Sequence, residues 1–219
     1  MWDHVVYRCV IGSRAYGLAT ETSDTDRRGF FLPPADAFFS LDGVPEQVER
    51  DETQECYWEV KKFLRLGLGA NPQVLECLNT KVVEHATPLV RELLDMRDAF
   101  LSREVAQTCS AYANSQFKKI AQDIRNHQAI KWKHAMHLVR ILMVGLGAVR
   151  DGKVTLEVGE HREKLLAIKR GEVAWEEVDR WRQELQEAYE PALARSPLPV
   201  KPDTERVNAW LVKARRSAL

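Results

Sequence analysis

The rhythm of apolar and polar positions changes near residue 88. Before it, short apolar runs rich in β-branched and aromatic residues are cut by turn signals. After it, apolar residues recur at the three- and four-residue spacing of helices. Val5–Ile11 is a short apolar run stopped by Gly12 and predicts a buried strand. A short helix or turn follows over 14–19, then a second strand over 25–32, ended by Pro33-Pro34. Residues 35–41 fit either class, Asp42-Gly43 marks a turn, and 46–52 is acidic and exposed. A third strand is expected from Thr53 to Glu59 or Val60. Residues 61–68 are helical, and Asn71-Pro72 supplies an N-cap and a first-turn proline for another short helix over 72–78. Helices are then expected at 88–97, 102–126, 129–149, 160–169, 175–194 and 204–216. Asp151-Gly152 separates two of them, and Ser196-Pro197-Leu198-Pro199 is a rigid linker before the last. The fold class is therefore α+β: a small mixed β-sheet domain over 1–88, then an α-helical domain over 89–219.

Composition narrows this little. With 45% hydrophobic residues and no net charge, the chain reads as globular, and global charge gives no support to a non-specific nucleic-acid binder. No apolar run reaches the roughly 18–20 residues that span a bilayer, so no membrane role is expected. The N-terminus lacks the pattern of a signal peptide. The scattered Cys9, Cys56, Cys77 and Cys109 form no CxxC pair and fit reduced, buried thiols of a cytoplasmic protein.

The chemistry concentrates in Gly12-Ser13-Arg14-Ala15-Tyr16-Gly17 and Ser23-Asp24-Thr25-Asp26. Glycine lets backbone N–H groups approach a phosphate, the Ser13 hydroxyl adds a donor, and Arg14 adds charge. On a strand, Asp24 and Asp26 point to one face. Two such carboxylates repel each other in a partly buried site unless a cation holds them, and Mg²⁺ takes such oxygen ligands together with substrate phosphates. Alone, the Gly-Ser pair is an ordinary turn and the Asp pair a polar loop; together, between two strands, they describe a site for nucleotidyl transfer.

Gly12-Ser13, ten intervening residues and Asp24-Thr25-Asp26 resemble the signature of the DNA polymerase β-type nucleotidyltransferase superfamily. GSRAYG, SDTDRRGFF, YWEVKKFLRLGLGANPQVLECL and KHAMHLVRIL together resemble its branch of predicted nucleotidyltransferases associated with RNA ligases. The resemblance implies a third metal-binding carboxylate and places it at Glu59; strand parity alone leaves Glu55 as a rival. It implies Asp24, Asp26 and Glu59 as catalytic and metal-binding residues, Mg²⁺ or Mn²⁺ as cofactor, an NTP (ATP foremost) as donor, an RNA 3′ end as acceptor, and an RNA ligase in the same pathway. A helical domain closing the cleft belongs to the same expectation. Protein-modifying and antibiotic-modifying relatives use the same metal chemistry, and a non-catalytic nucleotide-binding module is the remaining alternative.

One helical region is lopsided in charge. Between Ala111 and Arg150 seven Lys and Arg residues face one acid, Asp123. Lys133, His137 and Arg140 lie at i, i+4, i+7 on one stripe, suited to a triphosphate or an RNA backbone, with a solvated face as the plain reading. Asn126-His127 and Trp132 carry groups able to contact a base, though Trp132 fits a core position.

Overall fold

A computed structural model describes residues 1–127 and 130–219. In chain order the elements are β1 (Val5–Ile11), β2 (Asp26–Phe31), α1 (Ala35–Phe39), β3 (Gln47–Arg50), β4 (Glu55–Glu59), α2 (Val60–Leu68), α3 (Pro72–Asn79), β5 (Val83–Ala86), α4 (Pro88–Asp95), α5 (Glu104–His127), α6 (Trp132–Asp151), α7 (Arg162–Arg170), α8 (Trp175–Glu187), α9 (Tyr189–Ala194) and α10 (Thr204–Arg216). The protein is α+β. Ala129, the expected first residue of the second basic helix, and the side chain of His127 lie outside the described residues.

The five strands form one mixed sheet in the order β3-β4-β2-β1-β5. β1 is antiparallel to β2 and β5, β3 is antiparallel to β4, and β2 runs parallel to β4. The inner strands carry the buried residues of the sheet, β2 only over its second half, and the exposed polar segments form the edges. β3 occupies the segment expected only to be acidic and exposed, and β5 was not anticipated; both are four-residue, largely exposed edge strands that carry little apolar signal.

The chain divides into two compact units that differ from a cut at residue 88. The first comprises Met1–Leu101 and Pro202–Leu219, the second Ser102–Lys201. Both α4 and α10 therefore belong with the sheet. The reason is packing: α10 buries Val207, Trp210 and Ala214 in the same core as Tyr7, Phe30 and Phe63. The Trp210 indole N–H donates to Leu89 O (3.1 Å), and the Asp203 N–H to Ala99 O (2.8 Å). In the second unit, α6 buries mostly apolar residues from Ala135 to Val149, with Arg140 among them, and the Tyr189 hydroxyl donates to Leu142 O (2.9 Å). Gly171 ends α7 in the left-handed conformation, with the Trp132 indole packed where a Cβ would stand. Trp132 thus has a packing role. Among the described residues no helix is long and apolar enough to cross a membrane.

Candidate active site

β1 is an inner strand, and its end carries Gly12 to the rim of the sheet. Gly12 has φ +67° and opens a single turn over Gly12–Arg14. The Leu18 N–H closes on Ser13 O at 2.8 Å. Strand register puts Ile11 opposite Asp26. A Cβ on residue 12 would stand 2.6 Å from Asp26 Oδ2. The carboxylate therefore lies against the turn, in space and in a backbone conformation that glycine alone supplies without strain.

The two aspartates are not equivalent. β2 begins at Asp26, so only Asp26 has strand geometry; Asp24 is exposed in the preceding loop. The loop is tied down nonetheless. Arg14 Nη2 donates to Ser23 O (3.0 Å), and Ser23 Oγ accepts the Thr20 N–H (2.8 Å). Arg14 thereby links the glycine turn to the residue before Asp24.

A carboxylate that was not foreseen joins them. Glu76, 4% exposed on α3, accepts the Gly12 N–H at Oε2 (3.1 Å). α3 forms because Asn71 Oδ1 accepts the Gln73 and Val74 N–H groups and Pro72 fits the first turn. Its buried side chains run Val74, Leu75, Glu76, Cys77 and Leu78. An acid inside such a run is the available sequence signal, because Glu is rarely buried without a partner.

Glu59 is placed elsewhere. Parallel pairing sets Glu59 opposite Phe31, five residues beyond Asp26 on β2, or roughly 16 Å along the strand. There it caps α2, accepting the Lys61 N–H (2.8 Å) and the Lys62 N–H (3.4 Å), and it forms an ion pair with Arg215. The structure does not bring it to Asp24 and Asp26. Glu55 starts β4 at the correct end, but it pairs with Arg27, whereas Asp26 shares its face with Arg28 and Cys56. The Glu55 carboxylate accepts the Tyr57 hydroxyl at 2.9 Å; burial, then this bond, holds that phenol protonated above its usual range. The expectation of Glu59 in the triad rests on the family resemblance, which says nothing of strand register. Parallel register sets it at the far end of the strand pair, and an arginine from α10 engages it there.

The expected basic stripe lies in the second unit, and it is not one surface. Lys133 is exposed, whereas Arg140 is 4% exposed. Arg140 Nη2 donates to His137 Nδ1 (2.7 Å), so neutral His137 carries its proton on Nε2, 3.2 Å from the Tyr112 hydroxyl. Burial first, then the charges of Arg140, His134 and Lys133, lowers the His137 pKa to about 3. His137 is neutral at pH 7 and contributes packing and hydrogen bonds.

Among the described residues no three His, Cys, Asp or Glu side chains are grouped as metal ligands. What the turn does gather is hard oxygen chemistry: Asp26 and Glu76 both reach Gly12, and Asp24 is two residues away. Carboxylate oxygens are the ligand type that Mg²⁺ and Mn²⁺ take.

A Bacillus subtilis (strain 168) protein, named as uncharacterised protein YcgL, is 27% identical over 143 residues, 64% of this chain and 54% of that one. The chain thus matches about half the length of that relative. No solved structure matches significantly. The family model for RNA repair pathway DNA polymerase beta family proteins matches residues 3–213, and the chain belongs to that family.

Proposed function

We propose that this protein is a metal-dependent nucleotidyltransferase that moves a nucleoside monophosphate from an NTP, ATP foremost, to the 3′-hydroxyl of an RNA under repair. The observation that carries this reading is the convergence of Asp26 and Glu76 on the Gly12 turn, in a chain of this family. The turn's amides and the Ser13 hydroxyl are the donors for triphosphate oxygens. Asp24 and Asp26 would hold Mg²⁺ or Mn²⁺, which when bound offsets phosphate charge and lowers the pKa of an acceptor hydroxyl. Gly12 and Arg14 fix where these carboxylates stand relative to the turn. The acceptor oxygen bonds to the α-phosphorus as the bond to the bridging α–β oxygen breaks. Pyrophosphate leaves with that electron pair, and the hydroxyl proton passes to an aspartate carboxylate. An RNA ligase would then act on the restored end. The test is incubation of the full chain with each labelled triphosphate, with Mg²⁺ or Mn²⁺, and with separate pools of RNA, DNA and protein. Label on RNA is the expected result; label on protein alone, or on nothing, overturns the reading.

A further inference from the structure

A cleft of about 310 Å³ opens on the sheet face that carries Asp26, lined from Arg28 onward. Arg28 of β2, Glu49 of β3, Asp51, Gln54, Trp58 of β4 and Gln73 of α3 line it. Two elements join it in phase to the turn. Asp26 and Arg28 are alternate residues of β2, so they share a face about 7 Å apart. Glu76 and Gln73 are one turn apart on the same side of α3. The cleft thus lies over β3, β4 and β2, while Asp26 stands at the start of β2 and Gly12 at the end of β1, the next column of the sheet.

The lining decides what can enter. Glu49 and Asp51 repel phosphate; Glu49 Oε1 already accepts from Gln47 Nε2 (2.6 Å) and Cys56 Sγ (3.6 Å), so Oε2 is the oxygen it would offer a ligand. Arg28 does not offset them fully, because its Nη1 already donates to Arg27 O and Gln54 O, each at 2.8 Å. Gln54 holds that carbonyl in place from a left-handed conformation, φ +53°, which non-glycine residues seldom adopt. Carboxylates accept hydrogen bonds only, whereas the Gln54 and Gln73 carboxamides both donate and accept. A group rich in N–H and O–H donors fits this set. The volume stands at the lower end of small-molecule sites, about 300–1,000 Å³, and suits a nucleoside rather than an oligonucleotide.

Resting on the nucleotidyltransferase reading, we infer that this cleft is the nucleoside subsite of the donor triphosphate, and that Glu49 and Asp51 select a base bearing an exocyclic amino group. Uracil offers no such amine and is the disfavoured base.

Tripolyphosphate separates the two subsites, because it can occupy the turn but not the cleft. Calorimetric titration of the full chain with ATP, UTP and tripolyphosphate, in Mn²⁺ at fixed ionic strength, should show ATP binding at least about tenfold tighter than either of the others, the scale of one hydrogen bond to a charged group. Glu49→Gln and Asp51→Asn alter exposed side chains and should leave the fold intact. Each should bring ATP toward UTP while leaving tripolyphosphate unchanged. Equal affinities for ATP, UTP and tripolyphosphate, or variants with an unaltered ATP-to-UTP ratio, overturn the subsite while leaving the turn as a phosphate site. Failure of all three ligands to bind overturns the nucleotidyltransferase reading itself, and the subsite with it.

Discussion

Glu59 and Asp26 lie at opposite ends of neighbouring parallel strands, and the contrast between those ends is instructive. Glu59 is surrounded by donors: two helix-start amides and the Arg215 guanidinium satisfy it. That set stabilises a negative charge without any ligand, and it joins β4 and α2 to α10. Asp26 stands against a glycine turn whose Gly12 N–H is taken by a second carboxylate, Glu76. The first arrangement has its cation built in. The second has none in the contacts described, and under the proposed function it would take one from solution. A carboxylate's partners, more than its place in a sequence motif, decide which kind of site it makes.

The largest effect expected from breaking this contrast is at Asp26. Asp26→Asn keeps the shape and removes the charge, so nucleotidyl transfer should fall by at least about 100-fold, the loss that even outer-shell partners of a metal can cause. Thermal melts should be near those of the parent. A variant with parental turnover would remove Asp26 from the chemistry. At the other end, Glu59→Gln keeps an acceptor for the helix amides but leaves Arg215 without its counter-charge. The expected cost is about 2 kcal/mol of stability, measured by urea unfolding, with turnover per folded molecule unchanged. A turnover defect in fully folded protein would return Glu59 to the active site.

The smallest effect concerns His137, another group that the structure supplies with its partners. Its folded pKa of about 3 lies below the unfolded value near 6.5. The neutral form is the folded one, so its contribution is complete above pH 6.5 and is lost as pH falls toward 3. The steepest loss is about 1.4 kcal/mol per pH unit, less to the extent that solvent reaches the partly buried ring. Urea melts from pH 7 to pH 4 should show the parent losing more stability than His137→Gln. Parallel losses would mean that the ring is hydrated and the stripe is open surface.

Much of this was legible beforehand because it depends on local pattern. Val5–Ile11 had to be an inner strand, since seven mostly apolar residues before a glycine have few alternatives. Asn71-Pro72 fixed the start of α3, and Gly12 beside Asp26 follows from a strand, a turn and a returning strand. Glu76 was hidden for a definite reason. Its spacing of 64 residues from Gly12 carries no periodicity, and only the docking of α3 on β1 brings the two together. The stripe of Lys133, His137 and Arg140 shows the opposite error. Helical spacing placed them on one side, but spacing is silent about how much of that side a neighbouring helix covers.

The sequence by itself determined the α+β class, the inner strands, the helix start at Asn71 and the glycine turn facing an aspartate, because each rests on residues close in the chain and on the backbone preferences of Gly, Pro and Asn. Only the tertiary structure decided which carboxylates meet, that α10 returns to the sheet, and which charges are already paired. Those outcomes depend on strand register and helix docking, where burial of distant apolar surfaces sets the geometry and polar side chains take the partners that remain within reach.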